Sequence, residues 1–186
     1  MIVKSLLGGH PRRAFRLARS WYRLRFPSAP LRLHLGCGQL RLPGFFNVDC
    51  NFSTATDYVG DVASLPCPDN SVERIETYHV IEHIPLPAVK VVLAEWKRVL
   101  VRGGLLVMEC PDLDQAVREY LAGNKERLFS IYGRQRFPGD AHHWGYSTAG
   151  LKELLEAAGF TEVVFPPAQD YHKELEPCLR VECKKQ

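Results

Sequence analysis

From Leu31 onward, short apolar runs alternate with amphipathic stretches, a rhythm that few architectures accommodate. The runs at 31–35, 45–49, 57–60, 72–78 and 105–110 have the length and composition of buried strands. Helical periodicity falls at 86–100, 113–121, 126–132 and 148–158, with Gly159 where a helix C-terminal cap belongs. Two further strands are expected at 160–165 and 178–183. Strands alternating with helices point to an α/β sheet covered by helices. One connection is irregular: only residues 36–44 separate the first two strands, whereas a parallel crossover normally takes a dozen or more residues. The first crossover helix must therefore be vestigial or absent.

The 186 residues, 46% hydrophobic and 24% charged, suit a single domain with a sizeable core. Charge divides the chain unevenly. Residues 1–32 hold eight Lys or Arg and no acid, leaving 16 basic against 21 acidic residues in the remainder. A uniformly basic nucleic-acid binder is thereby excluded, and no specific nucleic-acid partner is expected. The expected organisation is a basic amphipathic helix within 1–30, followed by the domain proper at 31–186. Between Pro11 and Pro27, Arg12, Arg16, Arg19 and Arg23 fall within an arc of about 60°. Ala14, Leu17, Ala18, Trp21, Tyr22 and Leu24 cover the other side. Such a helix packs on the domain as a lid, guides an anionic acceptor, or lies on an anionic membrane through residues 11–26. Six cysteines without a CxxC pair, and no apolar run long enough to span a bilayer, read as reduced thiols in a cytoplasmic protein with at most peripheral membrane contact.

The apolar run Leu31–Leu35 enters a tight turn, Gly36-Cys37-Gly38, and the next strand closes on Asp49. In an α/β sheet a turn of this kind lies at the carboxyl end of its strand, where ligands bind. Glycine there permits close approach and positive φ, and an acid closing the second strand accepts from ribose hydroxyls. The dinucleotide fingerprint requires a third glycine at position 41, which is Arg. A pyrophosphate is therefore poorly served, and a nucleoside without phosphate such as S-adenosylmethionine fits better.

Later segments strengthen that reading. Leu33-His34-Leu35-Gly36-Cys37-Gly38 is followed by Leu42-Pro43-Gly44-Phe45, Asn47-Val48-Asp49, Asp61-Val62, Leu65-Pro66 and Ser71-Val72-Glu73-Arg74-Ile75. Then come His79-Val80-Ile81-Glu82-His83, Glu95-Trp96-Lys97-Arg98-Val99-Leu100, Gly103-Gly104-Leu105, Pro111-Asp112-Leu113 and Ala157-Ala158-Gly159-Phe160. As a set the chain resembles a class I S-adenosylmethionine-dependent methyltransferase of the small methyltransferase-domain 11 type. The resemblance implies a Rossmann-like, mostly parallel sheet with helices on both faces, a shortened first crossover and an antiparallel strand near the C-terminus. It also implies that Gly36, Cys37 and Gly38 line the methionine side of the cofactor and that Asp49 holds the ribose. Asp61 and Val62 would meet the adenine, and His79 would stand beside the methyl donor. S-adenosylhomocysteine would be the product. Glu73 and Arg102 depart from residues common in the family, away from these contacts.

His79-Val80-Ile81-Glu82-His83 also satisfies H-x-x-E-H, a zinc-peptidase pattern that needs a continuous helix. Pro85 and Pro87, with a strand just before, oppose one, and no metal is expected. The segment 140–146 offers His142 or His143 as a general base, with Trp144 or Tyr146 shaping an acceptor pocket; alternatively it is a loop capped at Ser147 or Thr148. Asp112 is a further catalytic candidate, or the cap of the helix at Leu113. The function expected is methyl transfer to oxygen or nitrogen of a small-molecule, glycan or lipid-type acceptor. A non-catalytic cofactor- or partner-binding domain is the alternative.

Overall fold

The computed structural model describes residues 11–186. Its helices are α1 (Pro11–Arg25), α2 (Leu86–Val99), α3 (Leu113–Leu121), α4 (Arg127–Tyr132) and α5 (Thr148–Ala157). The strands are β1 (Leu31–Leu35), β2 (Phe46–Asp49), β3 (Tyr58–Val59), β4 (Val72–Tyr78), β5 (Leu100–Pro111), β6 (Phe160–Val164) and β7 (Cys178–Lys185). They form one sheet in the order β3-β2-β1-β4-β5-β7-β6. The first five strands run parallel, and β7 is antiparallel to both β5 and β6. The strand order reverses between β1 and β4, so the crevice at their carboxyl ends is where a ligand is expected.

No helix links β1 to β2, and a buried amide organises that connection instead. Asn47, without solvent exposure, accepts from Leu42 N–H at 2.8 Å and from His34 Nδ1 at 3.0 Å. Its Nδ2 donates to the carbonyls of Phe45 and Leu42 and to the Asp57 carboxylate. A connection too short for a helix thus still satisfies its backbone groups.

Element ends differ from expectation where pairing overrides periodicity. Leu100 caps α2 in an extended conformation and pairs with Val72, so β5 begins five residues earlier than 105. The extra residues are taken up as a register shift around Gly103, at φ +74°. β3 is two residues long, flanked by Asp57 and Gly60, whose N–H groups donate to the Asn47 and Asp49 carbonyls of β2. α1 departs more. Leu17, Ser20 and Leu24 turn inward, and Leu24 enters the core beside Phe46 and Leu65. Trp21 and Tyr22, expected on the packed side, are exposed. Arg23 covers Phe46 with its guanidinium at 5.1 Å, while Trp21 and Tyr22 pack on Phe26 at the helix end. No helix among the described residues is long and apolar enough to cross a membrane, and none of the six cysteines is in a disulfide.

Replacing Asn47 by Ala strands the His34 imidazole and the Leu42 amide in the interior. The expected loss is about 3 kcal/mol of unfolding free energy, taking roughly 1–3 kcal/mol for each buried group left unpaired. Urea denaturation of the variant against the parent chain measures it.

Candidate functional site

The glycine turn is pressed from one side and open on the other. Gly36 and Gly38 adopt φ of +71° and +50°. A Cβ on Gly36 would stand 2.1 Å from Val80 Cγ2, whereas one on Gly38 would meet nothing within 4 Å. Asp49, 8% exposed at the end of β2, secures the turn from behind. Its Oδ2 accepts from Gly38 N–H at 2.8 Å and its Oδ1 from Asn51 N–H at 2.7 Å. A carboxylate offers about four lone-pair sites, so two backbone bonds leave capacity for hydroxyl donors. Cys37 is buried against Thr56, and burial pushes its thiol pKa up.

Two adjoining cavities lie over this carboxyl edge. The first, about 460 Å³, is walled by Gly36, Cys37, Gly38, Tyr78 and His79. The second, about 330 Å³, is walled by Glu82, Arg127, Ser130, His142 and Glu176. They share His79, His83, Arg136, Asp140, Tyr171 and His172. Arg136 clasps Asp140 with contacts of 3.0 and 3.1 Å and so fixes one stretch of the rim.

His79 follows β4 with a left-handed φ of +54°. Its Nε2 lies 3.6 Å from Cys178 Sγ, its Nδ1 lies 3.1 Å from Glu82 Oε1, and its ring stacks on His172 at 3.9 Å. Burial works to lower its pKa, but Cys178 and the Glu82 carboxylate outweigh burial and hold it up to about 10. Glu82 mirrors this: burial would raise its pKa, and the imidazoles of His79, His83 and His142 keep it low.

The other candidates separate. His142 is half-buried on the wall of the second cavity, its Nδ1 3.0 Å from the Ser130 carbonyl, and burial lowers its pKa. His143 is exposed and borders neither cavity; its backbone N–H donates to the Glu82 carbonyl at 2.7 Å. Asp112 caps α3, its carboxylate accepting from Gln115 N–H at 3.0 Å, also away from both cavities. Asp61 is exposed and accepts from Ala63 N–H, while Val62 packs on the core with its carbonyl held by Trp96 Nε1. The structure therefore gathers Gly36, Cys37, Gly38, His79 and His142 around the cavities, with Asp49 behind the turn.

Tyr171, His172 and Arg136 were not among the expected site residues. The available signal was topological. A final strand antiparallel to the rest must start at the carboxyl edge of the parallel strands, so the segment before Cys178 has to cross the site. H-x-x-E-H is not on an α-helix: β4 ends at Tyr78, and Ile81–His83 is a single 3₁₀ turn.

A sheet whose first five strands run parallel in this order, with a glycine turn after the first and an acid after the second, is a Rossmann-like fold. A family model described as a methyltransferase domain matches residues 47–108. The chain is similar to solved S-adenosylmethionine-dependent methyltransferases from Thermotoga maritima and Archaeoglobus fulgidus. The first has 18% identity over 93% of this chain and 91% of that one, with a TM-score of 0.57. The second has 16% identity over 98% and 97%, with a TM-score of 0.58. A third, from Methanosarcina mazei, aligns at 16% identity over 87% and 94%, with a TM-score of 0.58. The class I likeness drawn from the sequence is thus borne out at the level of fold and domain. One curated relative, an uncharacterized 37.1 kDa protein in transposon TN4556 of Streptomyces fradiae, is 42% identical over 62 residues. The match takes in 33% of this chain and 17% of that relative's length.

Gly36→Ala is expected to cost about 3 kcal/mol, part from the left-handed φ and part from overlap with Val80. Adding Val80→Ala should recover the overlap share only. A double-mutant cycle in chemical denaturation checks this, and strictly additive effects would show that the two positions do not press on one another.

Proposed function

We propose that this chain is an S-adenosylmethionine-dependent methyltransferase acting on oxygen or nitrogen of a small-molecule, glycan or lipid-type acceptor. The observation that carries the reading is the open turn at Gly38, backed by the Asp49 carboxylate and continuous with a histidine-lined cavity. The residues present suit a nucleoside: Gly38 leaves room for close approach, and Asp49 keeps acceptor capacity beyond its two backbone bonds. In this reading Gly36, Cys37 and Gly38 border the methionine portion, Asp49 takes the ribose, and Asp61 and Val62 lie toward the adenine. When bound, the cofactor supplies an activated sulfonium methyl group.

The protein's share is alignment and exclusion of water. Tyr171 and His172 wall the cavities beside His79, and His79 stands at the junction with its charge balanced by Glu82. On the acceptor side His142 has its Nδ1 spent on a carbonyl, leaving Nε2 to face the acceptor, as a base or through a bound cation. Asp112 and His143, away from the cavities, position neighbouring backbone in this reading. Asp49→Ala should abolish detectable S-adenosylhomocysteine binding in calorimetry; undiminished binding would remove Asp49 from the site. His142→Ala should lower turnover at least tenfold with cofactor affinity nearly intact, on the scale typical of a lost acid–base group. Tight cofactor binding with no methyl released to any acceptor would favour the binding-module alternative.

The exposed side of α1 supports peripheral contact with an anionic membrane. Trp21, Tyr22 and Phe26 face outward beside Arg19 and Arg25, the pairing of apolar and basic groups that interfacial helices use. Co-sedimentation with phosphatidylserine vesicles should exceed that with neutral vesicles and fall in Trp21→Ala/Tyr22→Ala. Equal binding to both vesicle types would sink the membrane reading.

A further inference from the structure

Beyond the glycine turn, the second cavity holds a group of side chains that methyl transfer alone does not explain. Glu82 and His83 come from the 3₁₀ turn after β4, and His142 from the loop between α4 and α5. Each can offer one ligand atom such that the three lie within 4.8 Å of one another. All three line the same cavity.

Two independent features make this more than proximity. Glu82 is 1% exposed, with its Oε1 facing His79 Nδ1 at 3.1 Å and its Oε2 without a hydrogen-bond partner among the described residues. A buried carboxylate in that state is costly unless positive charge meets it. His79 meets it on the Oε1 side, which leaves Oε2 for a further cation. The second feature is tautomeric. His83 Nδ1 lies 3.0 Å from the Ala141 carbonyl and His142 Nδ1 lies 3.0 Å from the Ser130 carbonyl. A carbonyl only accepts, so each Nδ1 carries a proton and each Nε2, in the neutral ring, presents a bare lone pair. Metal-binding imidazoles are oriented in this way, with the remote N–H tied to a backbone oxygen.

We infer that Glu82, His83 and His142 bind a divalent first-row transition-metal ion, whose remaining coordination positions open into the cavity. Two imidazoles and one carboxylate are the donor set of open, ligand-accepting sites for such ions. Where the methyltransferase reading also holds, the open positions face the acceptor, and an oxygen or nitrogen on it fills one of them. A second group, His79, Asp170 and His172, is equally close-set, but both ring nitrogens of His79 are already engaged by Glu82 and Cys178. Asp170 already accepts from both the backbone and the ring of His172, and His79 stacks on that ring.

Calorimetric titration of the untagged full chain with Zn²⁺, without cofactor, tests the site. The expected result is one ion per chain, with affinity falling more than about tenfold in His142→Ala and in Glu82→Gln and unchanged in His172→Ala. Zn²⁺ should also raise the Tm of the parent chain and leave that of His142→Ala in place, and Co²⁺ should give visible d–d absorption that His142→Ala removes. Should Glu82→Gln fail to fold, His142→Ala, a loop substitution, carries the test. Absence of stoichiometric binding to the parent chain overturns the proposal, as does affinity unchanged in His142→Ala, or loss confined to His172→Ala. S-adenosylhomocysteine titration of the same preparation separates the two readings: cofactor binding without Zn²⁺ binding leaves the methyltransferase standing and removes the metal, and the converse does the reverse.

Discussion

A carboxylate with 1% exposure needs a full set of donors, and meeting that need at Glu109 shapes the carboxyl edge of the sheet. Glu109 Oε1 receives Arg180 Nη1 at 2.7 Å and Gln169 N–H at 2.9 Å, and Oε2 receives Asp170 N–H at 3.0 Å. Glu109 and Arg180 are partners in the antiparallel ladder, so the ion pair locks β7 in register against β5. Arg180 is itself completed by Glu182, two residues along. The two backbone donors pull the segment before β7 over the strand ends, and Tyr171 and His172 follow directly behind. Arg127, donating to the Leu175 carbonyl, and Asp112 N–H, donating to the Pro177 carbonyl, hold the rest of that wall. The same strand reaches in the other direction: the Glu109 carbonyl accepts from His79 N–H at 2.9 Å and steadies β4 where it leaves the sheet.

That exit is where backbone strain is spent. A histidine at φ +54° sits in a region that costs non-glycine residues roughly 1 kcal/mol or more, and its contacts to Glu109, Glu82 and Cys178 repay it. The reversal turns the chain from β4 directly into the 3₁₀ turn, which buries Glu82 instead of exposing it. It also brings Val80 against Gly36, so the turns that follow β1 and β4 touch beyond the end of the ladder that pairs the two strands. The glycine turn and the two cavities thus adjoin at two neighbouring residues, His79 and Val80.

Much of this was legible in the sequence, and what was not has identifiable causes. The alternation of apolar runs placed every strand, and the 36–44 gap correctly implied a crossover without a helix. The run Glu95-Trp96-Lys97-Arg98 marked the resemblance without disclosing a role, because its partners are distant in the chain. In the fold Glu95 and Arg98 hold Leu65, Trp96 holds Val62 and Lys97 holds the Ala158 carbonyl at the end of α5. The apolar side of α1 was misjudged at Trp21 and Tyr22, since periodicity ranks residues by hydrophobicity and cannot tell that one leucine suffices to fill the available core position. Tyr171 and His172 were hidden for a related reason: a loop has no period, and only the direction of the strand after it says where it must pass.

The H-x-x-E-H segment joins both lessons. Spacing of four residues places two histidines on one face only if the intervening backbone is an α-helix, and Pro85 with Pro87 argued against one. The structure agrees that no helix is there, and His79 is committed to Glu82, Cys178 and His172. Yet the motif's other two members are not idle. The short turn aims Glu82 and His83 into the cavity, and the loop after α4 returns His142, 59 positions beyond His83, to supply the second imidazole. Local spacing could neither reveal nor exclude that arrangement, because its third donor is set by tertiary structure: the carbonyls of Ser130, in α4, and Ala141, next to the Arg136–Asp140 pair, orient the two rings.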